Sequence, residues 1–147
     1  MTYLLDVNAL IALIDRKHVW HETAFAWFRQ ARRGRWATCP IVQNGFVRIT
    51  SGAQYPVSLG TPAQVSFLLS DLLGQDGHEF WPDDLSLVQT DLVDMGKVTH
   101  HKQTTDVYLL ALAVSRGGKL ATFDRRLATA PVFGGAEALH LILDPMI

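Results

Sequence analysis

The chain has a single cysteine, Cys39, in 147 residues. That excludes an internal disulfide and a cysteine zinc cluster, and it fits a reducing compartment. No apolar run approaches the roughly 18 residues that read as a transmembrane helix. The start has no basic segment and no cleavage-like site, and Asp6 interrupts the first apolar run early, so no signal peptide is expected. The expectation is a cytoplasmic protein without a membrane partner. Acidic residues are missing from Thr23 through Ser70, where Arg29, Arg32, Arg33, Arg35 and Arg48 all fall. Basic residues are missing from Asp71 through Asp94. The net charge of −1 conceals this division. Its ordinary consequence is two solvated faces of opposite sign; its sharper consequence is a surface that draws phosphates to those arginines.

What is present suits one domain spanning residues 1–147, with 48% apolar residues to build a core. Short apolar segments read as strands at Thr2 to Val7, Arg35 to Cys39, His78 to Trp81, Lys119 to Phe123 and Leu139 to Leu143. Helical spacing marks Ala9 to Ile14, His21 to Arg33, Ile41 to Thr50, Thr61 to Leu73 and Thr105 to Arg116, with a short helix at Leu92 to Gly96. Thr61 before Pro62 is an N-cap signal, and Thr105 is expected to cap the last long helix. Strands alternating with helices predict an α/β fold, a short parallel sheet flanked by helices on both faces.

In such sheets, sites form beyond the carboxyl ends of the strands. Asp6 lies near the end of the first strand and Asp124 follows a later one. Asp106 sits in the first turn of a helix, where the positive helix end favours an anion. Each has an ordinary alternative: Asp6 as a helix cap, Asp106 as a helix-start acid, Asp124 as a partner of Arg125 or Arg126. Brought together, three carboxylates repel, and a divalent cation resolves the conflict. Oxygen ligands suit Mg²⁺ or Mn²⁺, which activate water and polarise phosphoryl oxygens, so phosphodiester hydrolysis is the chemistry this placement points to.

The segments YLLDVNALIAL, TCPIVQNGFVRI, FWPDDLSL, HKQTTDVYLLALA and KLATFDRRL, in this order over almost the whole chain, resemble the PIN-domain ribonucleases. More closely they resemble VapC-type toxins of type II toxin–antitoxin pairs. The resemblance implies a Mg²⁺-dependent endoribonuclease with a PIN-like fold. Asp6, Asp106 and Asp124 would hold the metal, with Asn8 and Thr122 in support. It also implies a structured RNA substrate such as transfer RNA, an antitoxin whose tail occupies the acidic groove, and a homodimer. Arg29, Arg32, Arg33, Arg35 and Arg48 are the candidate RNA contacts, with His101 or Lys102 as a further candidate for a phosphate.

One position departs from the pattern. The family's glutamate is replaced by Gln43, which is neutral and cannot serve as a general base at pH 7. Three accounts stay open: a natural chain with weaker metal binding and slower cleavage, a degenerate domain that only binds antitoxin or RNA, or a deliberate change in a toxic enzyme. A haloacid-dehalogenase-like phosphatase with Asp6 as nucleophile is a further alternative, although it wants a second Asp where Asn8 stands and a downstream lysine. Asp83 and Asp84 read as a solvated turn, with a place in an outer metal shell as the alternative, and the four tryptophans as core and interface residues rather than stacking platforms.

Overall fold

The computed structural model describes residues 1–31 and 34–143. Five strands, β1 (Thr2–Leu5), β2 (Arg35–Thr38), β3 (His78–Phe80), β4 (Lys119–Thr122) and β5 (Leu139–Leu141), form one sheet in the order β3-β2-β1-β4-β5. Every pairing is parallel. Successive residues Leu4 and Leu5 are both fully buried, which in a strand means both faces of the sheet are covered. One group of helices comprises α1 (Val7–Ile14), α2 (His21–Ala31), α3 (Pro40–Thr50) and α4 (Pro62–Leu73), with α1 packed on the other three and α3 on α4. The other comprises α5 (Thr104–Ser115) and the single turn α6 (Gly135–Ala138), which pack on each other and on β4.

Helix α5 is buried without a break from Val107 to Ala113, so it has no solvent stripe over that stretch and serves as the central strut. Its start differs from the expected Thr105 cap. A 3₁₀ turn at His101–Gln103 runs directly into it, and the Gln103 side chain closes that turn by accepting from the backbone N–H groups of Thr99 and His100. The expected helix at Leu92 to Gly96 is replaced by an antiparallel bridge from Val93 to Val132 and a 3₁₀ turn at Met95–Lys97. Helix α4 starts as expected, with a capping box between Thr61 and Gln64 and Pro62 at the first position. The chain leaves α5 through Gly117, at φ +67°, a left-handed conformation that favours glycine. Gly118 then passes so close to β1 that a Cβ would meet the Thr2 carbonyl oxygen at 2.6 Å.

The order of strands positions the site. The chain winds outward from β1 to β2 and β3, then crosses back to place β4 on the other side of β1. The crevice at the carboxyl ends of β1 and β4 is therefore the switch point where such folds bind ligands. Among the described residues, no helix is long and apolar enough to cross a membrane.

Candidate active site

Asp6 is the residue immediately after β1, buried at 6% exposure, and its backbone N–H continues the ladder to the Ala121 carbonyl of β4. It caps α1, its Oδ1 accepting from the Asn8 backbone N–H at 3.2 Å. Its Oδ2 accepts from the Thr122 hydroxyl at 2.6 Å. Thr122, fully buried at the end of β4, in turn accepts at Oγ1 from the Asp124 backbone N–H at 3.0 Å. One hydroxyl thus fixes Asp6 and the turn that carries Asp124. The Asp124 carboxylate accepts from the Arg126 backbone N–H at 2.8 Å. Asn8 contributes its backbone, and its side chain is exposed.

Asp106 stands in the first turn of α5 and shares a cleft of about 180 Å³ with Asp124, Lys102 and Arg126. A second cleft, about 360 Å³, joins Asp124 to Asn8, His18 and Trp20; Trp20 stacks on Phe123 with centroids 5.5 Å apart. The three carboxylates feel one another. Burial, then the charges of Asp6 and Asp124, push the Asp106 carboxyl up to about 6. The helix N-terminus, worth about 0.3–1 kcal/mol, opposes this shift and is outweighed. Burial also raises Asp6, against the lowering pull of its Thr122 and Asn8 hydrogen bonds. Among the described residues the ion pairs are Arg35 with Glu79 and Arg116 with Asp84, so no basic side chain neutralises this acidic group by direct pairing.

No three His, Cys, Asp or Glu side chains among the described residues are gathered closely enough to form a ready-made metal cage. The donor chemistry nevertheless fits a hard divalent cation. The acids are oxygen donors whose mutual repulsion is uncompensated, and Mg²⁺ takes only one or two carboxylates directly and keeps several waters.

Gln43 lies just over one turn into α3, half-buried, and its Nε2 donates to Thr38 Oγ1 at 2.9 Å. Of the proposed arginine surface, the three described members, Arg29, Arg35 and Arg48, line neither cleft that holds Asp106 and Asp124. Arg35 begins β2, at the amino-terminal end of the strands, and is paired with Glu79. Arg29 lines a separate cleft of about 800 Å³ beside α1 and α4, and Arg48 lines another near Tyr55. Arg32 and Arg33 lie outside the described residues. The cations that do face Asp106 and Asp124 are Lys102 and Arg126. Asp83 is exposed, as a solvated turn requires, but it is also held: it accepts from the Ile41 backbone N–H at 3.2 Å and from the Tyr108 hydroxyl at 3.0 Å, tying the start of α3 to α5. Its neighbour Asp84 pairs with Arg116.

A family model described as PIN domain matches residues 3–132. Ribonuclease VapC44 of Mycobacterium tuberculosis is 44% identical over 142 residues, covering 96% of this chain and 98% of that protein. Ribonuclease VapC39 of the same organism is 43% identical over 139 residues, covering 95% and 100%. Among solved structures, VapBC2 from Rickettsia felis, crystallised with a DNA fragment from its promoter, superposes with a TM-score of 0.57 at 14% identity. That superposition covers 84% of this chain and 89% of the other, a likeness of fold alone. The phosphatase alternative is set aside by these matches. The acidic crevice at the switch point and the match over nearly the full length lead to one conclusion: this chain belongs to the PIN-domain family, in its VapC branch.

Proposed function

We propose that this chain is a Mg²⁺-dependent endoribonuclease and the toxin of a toxin–antitoxin pair. The observation that carries the reading is the gathering of Asp6, Asp106 and Asp124 where β1, β4 and α5 meet, close enough that the charges of Asp6 and Asp124 raise the Asp106 carboxyl, in a chain whose relatives are named ribonucleases. Bound Mg²⁺ supplies Lewis acidity and an activated water there. The chain's own part is positioning. Thr122 holds Asp6 and the Asp124 turn in register. Lys102 and Arg126 border the same cleft and attract the phosphates flanking the scissile bond. Gln43 contributes no charge and takes no proton, so Gln43→Glu is expected to tighten metal binding and speed cleavage. A cognate antitoxin and a second copy of the chain are the proposed protein partners.

The test is incubation of the purified chain with structured RNA, with Mg²⁺ and with chelator. Cleavage is expected with Mg²⁺, and loss of at least about 100-fold is expected for Asp106→Asn. Cleavage that persists in chelator overturns the metal-dependent reading. Gln43 also favours a second reading, a domain that binds antitoxin or RNA without cutting it. Mn²⁺ titration beside the same RNA assay separates the two, since binding without cleavage in both this chain and Gln43→Glu selects the second.

A further inference from the structure

Gln43 is one end of a three-residue chain of hydrogen bonds. Its amide nitrogen donates to Thr38 Oγ1 at 2.9 Å, and that hydroxyl lies 2.8 Å from His78 Nε2 on the neighbouring strand β3. Thr38 is fully buried at the carboxyl end of β2. A hydroxyl has one proton to give and two lone pairs. With one lone pair taken by Gln43, the proton's acceptor is His78 Nε2, since no other partner for Thr38 Oγ1 is found among the described residues. His78 therefore carries its proton on Nδ1. Burial keeps this ring neutral against the pull of Glu79, and the ring packs 4.7 Å from that of Trp36.

The direction of this chain decides which end of the Gln43 amide is free. With the nitrogen committed to Thr38, the oxygen points the other way. It accepts from no described residue, and no buried side-chain oxygen among the described residues lacks a partner, so it faces solvent. Helix α3 starts at the sheet edge that carries Asp6 and packs tightly on the start of α1, where a Cβ on Gly45 would meet Val7 Cγ2 at 3.0 Å. We infer that His78, acting through Thr38, is a positioning residue that locks the Gln43 amide with its oxygen outward, so that a neutral side chain still offers a cation an oxygen ligand rather than an NH₂ group. Reversing the chain, with His78 donating from Nε2, turns the amide over and presents its protons. A carboxylate at position 43 has two equivalent oxygens and needs no such lock; it accepts from Thr38, which then accepts from a His78 Nε2–H.

The inference rests on the metal-dependent reading for its purpose, but its geometry is tested independently. Nitrogen-15 NMR of the imidazole is expected to show His78 protonated on Nδ1 in this chain and on Nε2 in Gln43→Glu. Replacing the ring by His78→Phe keeps the packing on Trp36 and removes the acceptor. Titration with Mn²⁺ alone is then expected to show affinity falling roughly 10-fold, the scale of losing an outer partner of a ligand. In the Gln43→Glu background the same substitution is expected to change affinity by less than about twofold, which a general structural defect would not produce. Protonation on Nε2 in the unsubstituted chain, the same tautomer in both chains, or an equal effect of His78→Phe in both backgrounds overturns the inference. If no variant binds Mn²⁺, the metal reading falls while the tautomer comparison still decides the orientation of Gln43.

Discussion

At the scale of the residue, Asp106 and Thr122 do opposite things. Asp106 is a source of strain. Its folded carboxyl titrates near 6 against an ordinary value of 3.8, so the folded state keeps a proton that the unfolded state has released. Stability therefore falls as pH rises through that window, and is highest below it. Asp106→Asn is expected to weaken this dependence, leaving the part due to Asp6, and to raise the metal-free melting temperature near neutral pH by roughly 2–4 °C. Thermal scans in chelator from pH 4 to 7 check it, and parallel curves for the two chains contradict it. Thr122 is the counterweight, because its single hydroxyl serves Asp6 and Asp124 together. Thr122→Val keeps the shape and removes the hydrogen bonds. Calorimetric titration is expected to show Mn²⁺ affinity reduced roughly 10–100-fold, as for other residues that orient metal ligands. The acids themselves were legible in the sequence, since their place after strands and at a helix start follows from local pattern. The network Gln43–Thr38–His78 was not, because its members come from three elements and 40 residues separate Thr38 from His78.

At the scale of the element, periodicity gave the five strands and the five long helices to within a few residues. It failed where tertiary contacts decide. Leu92 and Val93 look like part of a helical turn, yet Val93 pairs with Val132 and both are buried. Thr105 looks like a cap, but the preceding 3₁₀ turn carries its own closure through Gln103. Helix α6 has four residues, too few for a period. The α5–β4 turn shows how tightly elements meet. A methyl group at Gly118 would collide with the Thr2 carbonyl at 2.6 Å and the Trp81 ring at 2.9 Å. The obstacle is strand backbone, which cannot swing aside as a side chain can. Gly118→Ala is expected to cost about 1–3 kcal/mol, measured by urea unfolding. A cost below about 0.5 kcal/mol, the range of an ordinary surface change, contradicts this close approach.

At the scale of the whole molecule, the described arginines of the basic segment stand apart from one another. Arg35 starts β2, Arg29 walls a separate cleft and Arg48 lies in the last turn of α3. Among the described residues, the cations lining the cleft of Asp106 and Asp124 are Lys102 and Arg126, which lie outside the arginine-rich segment. Density of charge in sequence is a poor guide to density in space when the chain crosses its sheet between one cation and the next. RNA affinity measured against salt discriminates the two surfaces. Each of Lys102→Ala and Arg126→Ala is expected to lower the log–log slope by about 0.7 for a single-stranded substrate, whereas Arg35→Ala leaves it unchanged. The reverse pattern returns the grip to the arginine segment.

The Thr122–Asp6 bond joins residues 116 positions apart, and this has a consequence for synthesis. Until the segment carrying β4 has left the ribosome, β1 has no partner on that side and Asp6 has neither its hydroxyl donor nor its neighbour Asp124. A nascent chain that has exposed only its first half therefore carries Asp6 without the rest of the acidic crevice. Only when residues 119–124 have emerged do the early and late segments meet and complete the crevice.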